Sequence, residues 1–198
     1  MRIEDIVRAV QGELGITVDG RAGPETWQVI YARVVAPAVP GLPGGVTDSR
    51  SEKAIATLLP EVQPYARALV HKAAAVGITI KVIDGTRTWA EQDALYAQGR
   101  TRPGGIVTNA KGGESNHNFG IAFDIGVFEG SRYLGDSPKY KAVGTLGIEL
   151  GLEWGGDWKS LVDQPHFQLR PRWAQELTER QMLAGLRARR EASEPLLA

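Results

Sequence analysis

Residues 36–47 read APAVPGLPGGVT, and this stretch constrains the fold more than any other part of the chain. Proline has no backbone N–H and blocks helix interiors, while glycine is costly to order in helix or strand. Three of each within twelve residues leave no room for a regular element, so the stretch reads as a linker. It divides the 198 residues into a short unit, 1–35, and a remainder long enough for one packed domain. In the short unit, Ile3, Ile6, Val7, Val10 and Leu14 recur at helical spacing and form one apolar stripe that stops at Gly15. A turn over 18–23 supplies two glycines suited to positive φ. Pro24 then opens a second helix on which Trp27, Ile30, Tyr31 and Val34 share a face. Two such helices bury little surface alone, so the unit is expected to lean on something else.

Charge narrows the function. Lys and Arg number 23, as do Asp and Glu, for a formal net charge of zero. A nucleic-acid binder needs a basic excess to neutralise phosphates, and this chain has none. Hydrophobic residues make up 42%, enough for a core, so wholesale disorder is excluded. The absence of cysteine removes disulfide frameworks, thiol catalysis and thiolate-bound metals. Glu4 and Asp5 stand where a secretion signal would run apolar, and no apolar run approaches the ~18 residues that span a bilayer. No membrane insertion is expected.

Beyond the linker, helical and strand patterns alternate. Ser49-Arg50-Ser51-Glu52 fits a capping box ahead of Ala54, Ile55, Leu58 and Leu59. A helix over 61–76 is predicted to turn Val62, Tyr65, Leu69, Ala73 and Val76 inward and to stop at Gly77. Residues 78–84 read as a strand, and Thr88 to Glu91 as a second capping box for a short helix ending near Gly99. Residues 100–116 read as a surface loop, 119–128 and 166–169 as strands, and Ser137-Pro138 as the start of a helix to about Leu150. Residues 173–190 are helix-prone, with Trp173, Leu177, Ala184 and Leu183 or Leu186 as contacts. The pattern predicts an α+β fold around a small central sheet, antiparallel or mixed. It spans a domain over 48–172, followed by a C-terminal helix and tail over 173–198.

Three histidines occur, and two keep unusual company. His71, mid-helix beside Lys72, reads as a surface residue. His117 lies in Ser115-Asn116-His117-Asn118-Phe119-Gly120-Ile121-Ala122-Phe123-Asp124, or S-x-H-x-x-G-x-A-x-D. Strand periodicity puts Ala122 and Asp124 on one face. A carboxylate aimed into an apolar sheet is costly unless paired, and a metal shared with His117 would pair it. His166 follows Asp163-Gln164-Pro165, downstream of Trp154-Gly155-Gly156-Asp157-Trp158. Two imidazoles and a carboxylate make a catalytic zinc set: the fourth position is left for water, whose pKa falls from 15.7 to about 7 when bound. Hydrolysis also needs a group to move that water's proton. Asp163, three residues before His166 and held by Pro165, is best placed. Taken singly, a buried histidine or a turn-capping aspartate explains each residue, but their combination points to a metal. H-E-x-x-H is absent, which removes the helical zinc-protease pattern.

Together, S-x-H-x-x-G-x-A-x-D, W-G-G-D-W and D-x-P-H-F resemble the D-alanyl-D-alanine carboxypeptidase and L-alanyl-D-glutamate endopeptidase family of zinc peptidases. Its members cut the peptide stems of bacterial peptidoglycan, and phage endolysins use the same domain. The resemblance runs from about Ser49 to about Arg170 and includes Gly85-Thr86-Arg87-Thr88, Glu91, Gln92 and Leu95. It implies a hedgehog-like zinc peptidase fold with one zinc per chain on His117, Asp124 and His166, and Asp163 as catalytic base. It further implies that Arg87 contacts substrate near the scissile carbonyl and that Ser115 lies beside the substrate. A fixed guanidinium at Arg87 also suits a developing oxyanion, the alternative being a surface arginine after the Asp84-Gly85 turn. Gln92 meets either substrate or solvent, and Trp154 and Trp158 either line the cleft or pack. Val10-Gln11, Leu14-Gly15 and the run Asp19 to Thr26 resemble the helical peptidoglycan-binding domain, which normally has a further helix. Residues 1–35 therefore either bind the wall or brace the catalytic domain.

The expected function is zinc-dependent hydrolysis of the L-Ala–D-Glu bond of peptidoglycan stem peptides by a monomer with no nucleic-acid partner. The alternatives are a D-Ala-D-Ala carboxypeptidase or dipeptidase and, in another class, a non-catalytic zinc- or wall-binding module. The substrate lies outside the cytoplasmic membrane and no signal peptide is seen, so release of a phage endolysin through a holin is one expected route.

Overall fold

The computed structural model describes residues 2–30, 42, 45–159 and 161–197. Helix α1 (Ile3–Leu14) ends at Gly15 in the left-handed region, φ 69°, as the sequence predicts, and α2 (Pro24–Ile30) begins on its proline. Buried Gln11 organises the turn between them. Its Nε2 donates to Asp19, to the Arg21 carbonyl and to Thr26, while its Oε1 accepts from the N–H groups of Asp19 and Gly20. The expected apolar stripe is only half used. Leu14 and Ile16 are buried against Val10, Ile30 and Val46, but Ile3 is 81% exposed, Ile6 46% and Trp27 59%. Apolar packing among the described residues reaches only the C-terminal turns of α1. Tyr31, Val34 and most of the 36–47 linker lie outside the described residues.

Helix α3 (Ser49–Ile55) starts one residue away from the predicted box. Its cap is Asp48, whose side chain accepts from the N–H groups of Arg50 and Ser51. Glu52 therefore falls one position past N3, still in the first turn, and is buried. It accepts both Nε and Nη2 of Arg67 on α4 (Gln63–Ala75), and the N–H and hydroxyl of Thr47. Val76, predicted to face inward, is 58% exposed because it lies beyond the last turn of α4, just before Gly77 at φ 76°.

The sheet comprises β1 (Thr79–Asp84), β2 (Ala122–Glu129), β3 (Arg132–Leu134), β4 (Glu153–Trp154) and β5 (His166–Gln168). Their order is β1-β2-β5-β4, with β3 on the far end of β2, and every pairing is antiparallel. Helix α5 (Trp89–Ala97) follows β1 with the predicted Thr88–Glu91 capping box, and α6 (Lys139–Glu149) follows β3. Alternation along β2 sorts the two faces. Phe123, Ile125 and Val127 join Val82, Phe167 and the inner sides of α3, α4 and α6 in the main core. Asp124 points the opposite way and pairs in register with His166 of β5 and Asp84 of β1.

Three expectations are corrected here. The strand predicted from Phe119 begins at Ala122, because Asn116–Phe119 forms a 3-10 turn closed by Gly120 at φ 72°. The C-terminal helix α7 (Glu179–Glu191) starts only after a further 3-10 turn at Arg172–Ala174. Ala184 is exposed, whereas Met182 and Leu186 are buried with Phe119, Ile121 and Ala174 in a second apolar cluster. No helix among the described residues is long and apolar enough to cross a membrane.

Candidate metal centre and active site

The 3-10 turn carries His117, β2 carries Asp124 and β5 opens with His166. These three reach one point: His117 Nε2, Asp124 Oδ1 and His166 Nδ1 form a triangle with every edge 3.2 Å. Tetrahedral zinc with bonds of about 2.0–2.1 Å needs ligand edges of about 3.3 Å. The outward nitrogens settle which inner atoms carry protons. His117 Nδ1 lies 2.7 Å from the Gly85 carbonyl, and His166 Nε2 lies 2.9 Å from Gln168 Oε1. Both neighbours are acceptors, so both outer nitrogens hold the proton in the neutral ring and both inner nitrogens present lone pairs. Asp124 Oδ1 is buried and accepts no hydrogen bond. Three converging lone pairs repel one another unless a cation or a ring proton lies between them, and a buried Asp124 oxygen without a hydrogen-bond partner fits a zinc ion there. The two imidazoles and one carboxylate suit zinc's N/O preference.

Charge in the site follows from burial and neighbours. Burial alone would raise the Asp124 carboxyl, but His117 and His166 outweigh it and hold Asp124 below the usual carboxylate range. Burial would lower His166, and the Asp124 carboxylate reverses this, so the net shift is upward. Asp163 moves the other way from Asp124. Burial, then the charge of Asp124, pushes its carboxyl up, against the pull of His166, His117 and Arg87. A carboxylate raised in this way suits proton transfer.

The W-G-G-D-W segment supports Asp163. A Cβ on Gly155 would stand 2.5 Å from the Asp163 carbonyl oxygen and 3.0 Å from His166 Cβ, so only glycine lets the two chains approach this closely. The Gly155 carbonyl accepts the Asp163 N–H at 2.9 Å, and the Trp154 indole donates to the Gln164 carbonyl at 2.8 Å. Trp154 is thus a packing residue. Trp158 lines the cleft, its ring 4.9 Å from that of His166. The cleft measures about 600 Å³, and Arg87, Ser115, the three candidate ligands and Asp163 all line it. Asp157 lines a neighbouring cavity instead, and Glu153 is bonded to Gln168 and Arg170.

Arg87 is no surface arginine. Its Nε donates to Asp84 at 2.6 Å, Nη1 to Gln92 at 3.1 Å and Nη2 to Asp124 Oδ2 at 2.9 Å. It separates two carboxylates that the β1–β2 register sets opposite each other. Gln92 meets no solvent: it is fully buried and also donates to Thr108 and the Ala110 carbonyl. Sequence reasoning missed Asp84, Asn116, Gln168 and Glu179. Gln168 directly follows the D-x-P-H-F motif and Glu179 lies beyond it, neither in a recognisable spacing.

A buried His-Asp-His triangle on an antiparallel sheet, open to a cleft with an elevated carboxyl, defines a zinc metallopeptidase. Residues 108–169 match the family described as D-alanyl-D-alanine carboxypeptidase. The peptidoglycan L-alanyl-D-glutamate endopeptidase CwlK of Bacillus subtilis (strain 168) is 43% identical over 124 residues, covering 58% of this chain and 74% of CwlK. The chain belongs to this peptidase family. The L-alanyl-D-glutamate peptidase of Listeria phage A118 is 30% identical over 123 residues, covering 61% of this chain but 41% of the phage protein. Among solved structures, Serratia marcescens L-Ala D-Glu endopeptidase ChiX aligns with TM-score 0.43 and 25% identity, covering 61% of this chain and 86% of ChiX. Vancomycin-resistance D,D-pentapeptidase VanY, solved with Zn(II), aligns with TM-score 0.46 and 16% identity, covering 64% and 78%.

Proposed function

We propose that this chain hydrolyses the L-Ala–D-Glu amide of peptidoglycan stem peptides, with one zinc held by His117, Asp124 and His166. The observation that carries the chemistry is the triangle of three lone-pair donors with no proton between them. When bound, zinc supplies Lewis acidity and makes a water nucleophilic near neutral pH. Asp163 takes the nucleophile's proton and returns it to the leaving amine. Arg87 directs three of its five N–H bonds at Asp84, Gln92 and Asp124 and lines the cleft, where its guanidinium is suited to meet the scissile carbonyl. Ser115, half-buried on the cleft wall, contacts the peptide. The enzyme works as a monomer on the cell wall, without a nucleic-acid partner. The N-terminal unit, whose described part is 2–30, stands ahead of the catalytic domain.

The endopeptidase assignment rests on the similarity to CwlK, which is far longer than the 108–169 family match. That match carries the description D-alanyl-D-alanine carboxypeptidase and favours a second reading, removal of terminal D-Ala. Digestion of purified peptidoglycan followed by identification of new termini separates the two. A free D-Glu amine supports the endopeptidase, and released D-Ala without it overturns that choice.

A further inference from the structure

Behind the candidate ligands lies a chain of polar side chains that the proposed reaction does not use. Gln168 is fully buried, and its amide is fixed at both ends. Nε2 donates to Glu153 at 2.7 Å, so Oε1 must be the atom facing His166 Nε2 at 2.9 Å. The same Oε1 accepts from Asn116 Nδ2 at 2.6 Å, and Asn116 directly precedes His117. Asn116 Nδ2 also donates to Glu179, the first residue of α7. Arg170 closes the circuit: it donates to Glu153, to Glu179 at 3.0 Å, and to the carbonyls of Ala174 and Leu177. Every carboxylate in the chain meets a donor, and the Gln168 amide cannot flip without setting its oxygen against Glu153.

We propose that Gln168 is a positioning residue that fixes the His166 tautomer with Nδ1 free for metal, and that Glu179 extends this control to α7. The inference rests on the metal reading of His117, Asp124 and His166. The neutral imidazole of His166 has two tautomers, and only the form protonated on Nε2 leaves Nδ1 as a donor to metal. A carbonyl oxygen held against Nε2 selects that form before any ion arrives. Partners of this kind typically govern metal affinity by 10–100-fold. The C-terminal segment is then part of the metal centre and not a trailing helix.

Full-length wild type, Gln168→Met and Glu179→Ala are compared without metal and with zinc. Long-range ¹⁵N–¹H spectra of the zinc-free proteins, followed with rising pH until the ring shifts stop changing, report each tautomer, and three histidines keep the spectrum simple. Wild-type His166 is expected as the Nε2–H form, and Gln168→Met as a mixture of both forms. Competition with a chromogenic chelator is expected to give a zinc dissociation constant about 10–100-fold weaker for Gln168→Met and a smaller weakening for Glu179→Ala. Unchanged tautomer and affinity in folded Gln168→Met overturn the proposal. Should that variant fail to fold, Glu179→Ala decides, since its side chain is partly exposed; wild-type affinity there sinks the link to α7. Wild-type protein that binds no zinc would instead overturn the metal reading itself.

Discussion

Asp163 separates metal binding from catalysis. Asp163→Asn removes the proposed proton carrier but none of the three candidate ligands. It is expected to keep about one zinc per chain while losing on the order of 10²–10⁴-fold in kcat, checked by kinetics and metal analysis on one sample. The same change bears on stability. Burial and the charge of Asp124 raise the Asp163 carboxyl above its ordinary 3.8 in the folded protein. For an acid with a raised folded pKa, ionisation opposes folding, and that opposition develops as pH climbs from the unfolded value through the folded one. Metal-free Asp163→Asn should therefore melt higher than wild type at neutral pH, with the gain vanishing below pH 3.8. An unchanged Tm at neutral pH would contradict the burial argument. At Gly155 a single methyl is expected to displace the Asp163 carbonyl and His166 together. Gly155→Ala should cost about 1–3 kcal/mol of stability and a larger share of activity, measured by denaturant melts beside turnover.

At the level of helices and strands, the Glu52–Arg67 pair joins α3 to α4, with side chains only 3% and 8% exposed. Removing one partner strands a buried charge, so Glu52→Ala should destabilise by about 3–5 kcal/mol. Adding Arg67→Ala should restore part of the loss, as denaturant titration of the double variant would show. Sequence made the pair hard to see, since Glu52 reads as a capping-box acid until Asp48 takes the cap. Long elements with clear boundaries were legible, including α4, β1 and α5, because periodicity, a capping box and stop glycines agree there. Strands β3 and β4 were not, at three and two residues, because alternation cannot register over so few positions. His117, Asp124 and His166 stood out because the chain has only three histidines and two of them fall in recognisable motifs, one of which also carries Asp124. Gln168 and Asn116 did not, since an amide side chain gains its meaning only from what the fold sets opposite it. The outer turns of α1 misled for a related reason: a stripe records where apolar side chains point and not whether anything covers them.

Across the molecule, the two ends differ in their attachment. Helix α7 buries Met182 and Leu186 against Phe119 and Ile121, next to the 3-10 turn that carries His117. The α1–α2 unit has its own small cluster of Leu14 and Ile16. A chain beginning at Val46 is expected to unfold cooperatively and bind zinc with native affinity, whereas one ending at Pro171 should do neither, as calorimetry with and without zinc would report. The three candidate ligands come from the 3-10 turn and from two strands paired so that Asp124 faces His166, with 49 positions separating the histidines. A slip of one residue between β2 and β5 would turn one ligand to the opposite face. Loading the ion is therefore a test of register that a misthreaded chain fails, and a wall-cutting enzyme built this way stays inert until its sheet has zipped correctly.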